Sequence, residues 1–255
     1  MVKGLKEYLV FVPRGFMVMW NLLTRLPRLG DSYPTTDSPG VLALGPLVGL
    51  VMGLMVGTVG LVAFQGLPGL LTGALCGSAY SLLGWSLHLD GFADLWDGLG
   101  SGRRGDAMRE VMKDSRSGAF GVMGMVLGLL AWCSACGDLR GVHLPLGLAL
   151  AGALGRFSLL ACAFLGRYPW VSGLGGVFVG RLKGPHLALG ALWCAPFAIV
   201  LPWPLLLGLL GLSGLLGALM AIWMNQRMGG VNGDVLGACE VLGEIGVLAI
   251  LAKFI

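Results

Sequence analysis

Long apolar stretches alternate along this chain with short segments that hold nearly all of its charge. A helix needs about 20 apolar residues to cross a bilayer, and on that measure the pattern predicts about seven spans. They cover residues 41–64, 67–87, 119–136, 144–165, 186–201, 205–224 and 235–252. The first two lie so close together that they must form a tight hairpin. At the amino terminus, residues 8–23 are apolar but interrupted by Pro13 and Arg14. With neither an unbroken h-region nor a small-residue cleavage site, they predict an interfacial or half-inserted helix rather than a signal peptide. The expected fold is all-α: a polytopic membrane helix bundle with an interfacial N-terminal helix. No whole-unit repeat, low-complexity tract or soluble boundary divides it, so one membrane domain is expected over residues 1–255.

Composition agrees with that class. Hydrophobic residues make up 56% of the chain and charged residues 12%, against roughly 25% charged in soluble domains. The net charge of +4 sits in loops beside the spans, so it reads as topology and not as a nucleic-acid surface. Gly45, Gly49, Gly53 and Gly57 recur every four residues in the first span, and Gly69, Gly73, Gly77 and Ser81 in the second. Small-residue ridges of this kind let backbones approach closely in lipid, and here they are expected to pack the hairpin. The six cysteines fall nearly all in apolar spans and read as packing residues. Cys133 and Cys136 form a C-x-x-C but have no second pair and no nearby His to make a metal or redox site.

Placing the amino terminus in the cytoplasm assigns each loop to a side. Fourteen of the 17 Lys and Arg then fall inside, among them Lys3, Lys6, Arg103, Arg104, Arg109 and Arg116, while Arg140 and Lys253 fall outside and Arg156 lies within a span. That asymmetry is what the positive-inside rule requires.

The candidate chemistry gathers on the predicted inner side. Directly after the second span the sequence reads His88-Leu89-Asp90-Gly91-Phe92-Ala93-Asp94-Leu95-Trp96-Asp97-Gly98. If residues 82–96 continue as one helix, Asp90, Asp94 and Asp97 stand at i, i+4 and i+7 on one face. Converging carboxylates repel one another, and oxygen ligands at this density favour a hard divalent cation, magnesium above all; the alternative is a solvated acidic helix end. A basic turn with Arg103 and Arg104 follows, then a short helix that Asp106 can cap. Asp114 is a candidate further ligand or general base, and Arg116 a candidate phosphate clamp, unless the two simply pair with each other. The glycine-rich segment 172–184 reads either as an anion cradle or as an interfacial linker. Asp234 is either the N-cap of the last helix or functional. Arg156, Glu240 and Glu244 are charges within spans, and a buried bridge and contact with a polar substrate are both open readings.

Several segments resemble the cobalamin synthase family, also known as cobalamin 5'-phosphate synthases or adenosylcobinamide-GDP ribazoletransferases. They are Leu23-Thr24-Arg25-Leu26-Pro27, Gly45-Pro46-Leu47-Val48-Gly49, the run from His88 to Gly98, Met112-Lys113-Asp114-Ser115-Arg116-Ser117-Gly118-Ala119-Phe120-Gly121, and Gly229-Gly230-Val231-Asn232-Gly233-Asp234-Val235-Leu236-Gly237-Ala238 ahead of Glu240 and Glu244. They occur in family order along nearly the whole chain, with Leu95-Trp96 and Asn232 as mild departures. The resemblance implies a magnesium-dependent, multi-pass inner-membrane transferase acting on adenosylcobinamide-GDP and alpha-ribazole or its 5'-phosphate, with GMP as product; it leaves a homo-oligomer open. Phosphoryl transfer mostly needs positioning and charge neutralisation, and the residues fit it. On this reading Asp90, Asp94 and Asp97 hold magnesium (Mg2+), and Asp94, Asp114 and Arg116 serve catalysis. Substrate contacts fall to His88, Arg103, Arg104, Asn232, Asp234, Glu240 and Glu244. Two rival readings are a CDP-alcohol phosphotransferase, whose later Gly-x-x-x-Asp-x-x-x-Asp pattern is absent, and an ion-coupled transporter, a class that commonly shows inverted repeats and broken helices at the midplane, whereas this chain groups its charges at one face.

Overall fold

The computed structural model describes residues 2–31, 38–84 and 86–254, with side chains from residue 11 onward. The side chains of Lys3 and Lys6, and Trp85 of the second predicted span, lie outside the described residues. Every regular element among the described residues is helical. In chain order they are α1 (Val2–Leu23), α2 (Gly45–Ala63), α3 (Gly69–Leu83), α4 (Leu87–Gly100), α5 (Gly105–Met112), α6 (Ala119–Asp138), α7 (His143–Leu165), α8 (Gly175–Phe178), α9 (Gly184–Leu192), α10 (Trp203–Arg227) and α11 (Gly233–Phe254). 3-10 turns precede α2 (Pro39–Leu44) and follow α9 (Ala195–Ile199). α1 runs unbroken through Pro13.

Among the described residues, five elements are long and apolar enough to cross a bilayer: Pro39–Ala63, α6, α7, α10 and α11. α3 and α4, set at 97° to each other, add a sixth if the bent pair counts as one span. The continuous helix expected over 82–96 is therefore broken. α3 ends at Leu83, and α4 restarts after Ser86, whose φ of 54° is left-handed. The expected span 186–201 is likewise not one helix. Pro196 stands four residues after Leu192, the last residue of α9, and a proline ring clashes with the carbonyl four residues earlier. The segment nonetheless traverses the bundle. Gly190 packs against Leu160 and Phe157 in the second half of α7, whereas Phe197 and Leu201 line a cavity together with Leu146 and Leu150 of its first half. This return is required because α10 runs parallel to α7: Leu205 faces Leu146, Gly217 faces Ser158, and Asn225 Nδ2 donates to the Leu165 carbonyl at 3.1 Å.

α7 is the axis, with every residue from 147 to 163 buried. A helix that is apolar all round belongs in the middle of a bundle. The small-residue ridges pack against it and its neighbour, not against each other as the hairpin reading expects. Gly49, Gly53 and Gly57 of α2 lie on the backbone of α7 at Gly152, Leu148 and Pro145, and Gly69 and Gly73 of α3 lie on α6 at Gly137 and Cys133. All six cysteines are free. Gly49→Val should destabilise the fold by about 3 kcal/mol, because its Cβ would meet the Gly152 carbonyl and backbone cannot step aside. Gly208→Ala, with open space around it, should leave the melting temperature in detergent unchanged; the pair of melts checks the claim.

Candidate active site

α4 is built to lie on two helices at once. Gly128 of α6 receives the Phe92 ring and Gly124 the Trp96 ring, while Gly91 of α4 sits against the backbone of Asp234 at the start of α11. Burial of Phe92, Ala93 and Leu95 fixes the rotation of α4 and leaves Asp90 exposed and Asp94 half-buried on the opposite face. Asp94 is thereby brought within electrostatic range of Asp234, Asp90 and Asp97, and Asp234 within range of Asp90 and Arg109. Four carboxylates from two helices thus share one end of the bundle. Without a cation their mutual repulsion opposes full ionisation.

Their local roles differ. Asp97 accepts hydrogen bonds from the backbone N–H of Gly118 at 2.7 Å and of Gly121 at 2.8 Å. It thus satisfies donors at the start of α6, where negative charge is favoured. Asn232 caps α11 by accepting the Val235 N–H at 3.1 Å, a role the sequence offered to Asp234 instead. Asp234 is left with one oxygen on Asn232 Nδ2 at 2.7 Å and lies within electrostatic range of Asp94 and Asp90. The short helix α5 starts at Gly105 with no side-chain cap bond, so Asp106 does not cap it.

Among the described residues, no three His, Cys, Asp or Glu side chains are gathered closely enough to enclose an ion. The donor set still fits magnesium, which keeps several waters and is bound by one or two carboxylates together with substrate phosphates rather than by an all-protein cage. Asp90 and Asp94 suit that mode. Asp97, tied to α6 by both oxygens, is the least available of the three predicted ligands.

The remaining predicted residues divide into two groups. Arg103 and Arg104 lie exposed on the turn between α4 and α5. Asp114 and Arg116 pair with each other in two-pronged fashion at 3.0 and 2.8 Å, and the Arg116 guanidinium and backbone N–H hold the Asp114 carboxyl down at about 2. A carboxylate that acidic is a poor proton acceptor at neutral pH, so the pair is not suited to general-base work as it stands. The other group is buried. Arg156 Nη1 lies 2.9 Å from Glu240 Oε1 and 3.2 Å from Glu244 Oε1, and donates to the Tyr80 hydroxyl at 2.8 Å. Tyr80 donates in turn to Glu244 at 2.7 Å, Trp132 Nε1 donates to its other oxygen at 3.0 Å, and His88 Nδ1 stands 2.8 Å from Glu240 Oε2. The buried bridge expected among these charges is formed. It ties α3, α4, α6, α7 and α11 together beneath the acidic cluster.

Sequence reading missed Tyr80 and Trp132. Their signal was available, since a charge inside a span needs polar handles on neighbouring helices. It also missed Arg109, whose guanidinium lies 4.5 Å from the centre of the Trp170 ring. In the glycine-rich 172–184 segment, Gly175 and Gly176 pack on Tyr168, whose hydroxyl donates to the Ser172 carbonyl at 2.7 Å.

Fold and site together define a polytopic membrane protein with an acidic cluster at one end of its bundle, suited to meeting phosphate through a divalent cation. The family model described as Cobalamin-5-phosphate synthase matches residues 15–252, and the chain belongs to that family. An adenosylcobinamide-GDP ribazoletransferase of Klebsiella pneumoniae subsp. pneumoniae is 35% identical over 243 residues, covering 91% of this chain and 96% of the relative. A protein of the same name from Citrobacter koseri is 34% identical over 246 residues, covering 89% and 96%. No solved structure matches the chain.

Proposed function

We propose that this protein catalyses the final step of cobalamin assembly. It joins adenosylcobinamide-GDP to alpha-ribazole, or to its 5'-phosphate, and releases GMP. The observation that supports this chemistry is the meeting of Asp90 and Asp94 on α4 with Asp234 on α11.

The ribose 3'-hydroxyl attacks the phosphorus that bears the cobinamide arm. A new P–O bond forms, the bond to the GMP phosphate breaks, and the hydroxyl proton leaves to a carboxylate. Asp234, within electrostatic range of Asp94 and Asp90, is the favoured acceptor; Asp114, held near 2 by Arg116, is not. Asp90 and Asp94 would hold magnesium, which would supply neutralisation of the diphosphate and of the charge developing on departing GMP. Asp97 keeps α4 docked on α6 so that the other carboxylates stay in register. Arg103 and Arg104, exposed beside this end, attract the anionic substrate. The site faces the cytoplasm, in line with the Lys and Arg distribution.

Purified protein incubated with adenosylcobinamide-GDP, alpha-ribazole and magnesium should release GMP, and EDTA should stop the release until magnesium is restored in excess. Release that continues undiminished in EDTA removes the metal from the reading, and no release under any condition removes the reaction.

A further inference from the structure

We infer that Trp170 and Arg109 form a stacking platform for the heterocyclic base of one of the two substrates. The inference rests on the reaction proposed above, in which both substrates carry a planar nitrogen heterocycle on a ribose next to the reacting phosphates.

The two residues come from different segments, the loop after α7 and the short helix α5, and meet with the Arg109 guanidinium 4.5 Å from the indole centre. The guanidinium lies over one face of the indole and both residues are half-buried, so the two form a layered cation–π pair on which a planar base can extend the stack. The platform is braced. Tyr168 packs edge-on to Trp170 with ring centres 5.2 Å apart, and Gly175 and Gly176 grip Tyr168. A surface already rigid loses little entropy when a ligand settles on it.

Its position links it to the carboxylates. Val231 N–H donates to the Arg167 carbonyl at 2.8 Å, and Arg167 N–H to Asn225 Oδ1 at 3.0 Å. Gly230 has no room for a side chain because Pro169 and the Trp170 ring lie against it. The loop bearing Trp170 is therefore fastened to the segment that leads into Asp234 four residues later, and Arg109 is itself within electrostatic range of Asp234. Base and phosphate of a nucleotide are separated by a single ribose. A site that holds the phosphates on Asp90 and Asp94 needs a flat surface beside it, and this pair is where the fold supplies one.

The test uses the full-length protein in liposomes, comparing the parent with Trp170→Ala, Trp170→Phe and Arg109→Ala. Stacking losses of the usual size predict that Trp170→Ala raises KM for one substrate about tenfold while kcat stays within about twofold. Arg109→Ala should raise the same KM, and Trp170→Phe should restore it. Equilibrium dialysis with GMP separates the two sources of the base. If guanine is stacked, Trp170→Ala weakens GMP binding by a similar factor; if the lower-ligand base is stacked, GMP binding is unchanged and KM for alpha-ribazole rises. Unchanged KM for both substrates would reassign Trp170 to anchoring at the membrane interface, and a fall in kcat alone, or a Phe variant as impaired as the Ala one, would equally overturn the platform. Should Trp170→Ala aggregate on size exclusion, Arg109→Ala decides by the same KM readout. A parent that releases no GMP sinks the reaction but not the platform, which dialysis of GMP and of alpha-ribazole against parent and variants still decides.

Discussion

Asp94→Asn is expected to slow GMP release by about a thousandfold, the scale on which removal of a central electrostatic group acts on catalysis. The substitution keeps size and polarity and removes one negative charge. Asp94 is the carboxylate within electrostatic range of all three others, Asp234, Asp90 and Asp97, so its loss removes the cluster's shared member. The fold should survive, because like charges at close range oppose stability and taking one away relieves that repulsion. An unaltered melting temperature together with lost turnover is thus the expected signature. Asp97→Asn should behave differently, since the amide oxygen can accept only part of what the carboxylate takes from Gly118 and Gly121, and its effect should appear in stability as well as in rate. Near-parental turnover by Asp94→Asn would remove the carboxylate site from the mechanism.

Arg156→Met is expected to destabilise the bundle by about 3–5 kcal/mol, the usual penalty for breaking a buried ion pair from one side. The guanidinium is 3% exposed and touches both Glu240 and Glu244, themselves 3% and 5% exposed. Its removal strands two carboxylates in the interior of a membrane protein, and Tyr80 and Trp132 can offer hydrogen bonds but no compensating charge. Adding Glu244→Gln should recover part of the loss, because the amide oxygen can still accept from Trp132 and its NH2 can donate to the Tyr80 hydroxyl oxygen while one stranded charge is gone. Thermal melts of the single and double variants in detergent measure both effects. A single variant that melts with the parent, or a double variant no better than the single, would show that the network does not hold the helices together. Because His88 of α4 is anchored to Glu240 of α11, weakening of this network should also loosen the approach of Asp90 and Asp94 to Asp234.

Much of the architecture was legible because hydropathy acts locally. A bilayer demands uninterrupted apolar length and internally satisfied backbones, and α6, α7, α10 and α11 follow from those demands alone. The breaks were less legible. Pro196 marked the interruption after α9, but nothing in the apolar run of residues 67–87 announced that the helix would stop at Leu83 and bend by 97°. The glycine ridges were visible as surfaces for close approach, but their partners were not, since a ridge has no sequence mark for the helix it will meet. The site shows the same division. Asp90, Asp94 and Asp97 were placed on one face by helical period, whereas the capping of α6 by Asp97 and the approach of Asp234 depend on contacts 21 or more residues away along the chain or on the docking of α11.

By itself, then, the sequence determined that the chain spans a membrane as helices, that its charge collects at one end, and that three carboxylates share a face, because bilayer thickness and helical period act over a few turns of contiguous chain. Only the tertiary structure decided which carboxylates meet, which are tied to backbone, and that Arg156, Glu240, Glu244 and His88 lock together beneath them. Those outcomes depend on the pairing of helices through glycine contacts and buried charge, and such pairings are settled by mutual fit in three dimensions rather than by any local pattern.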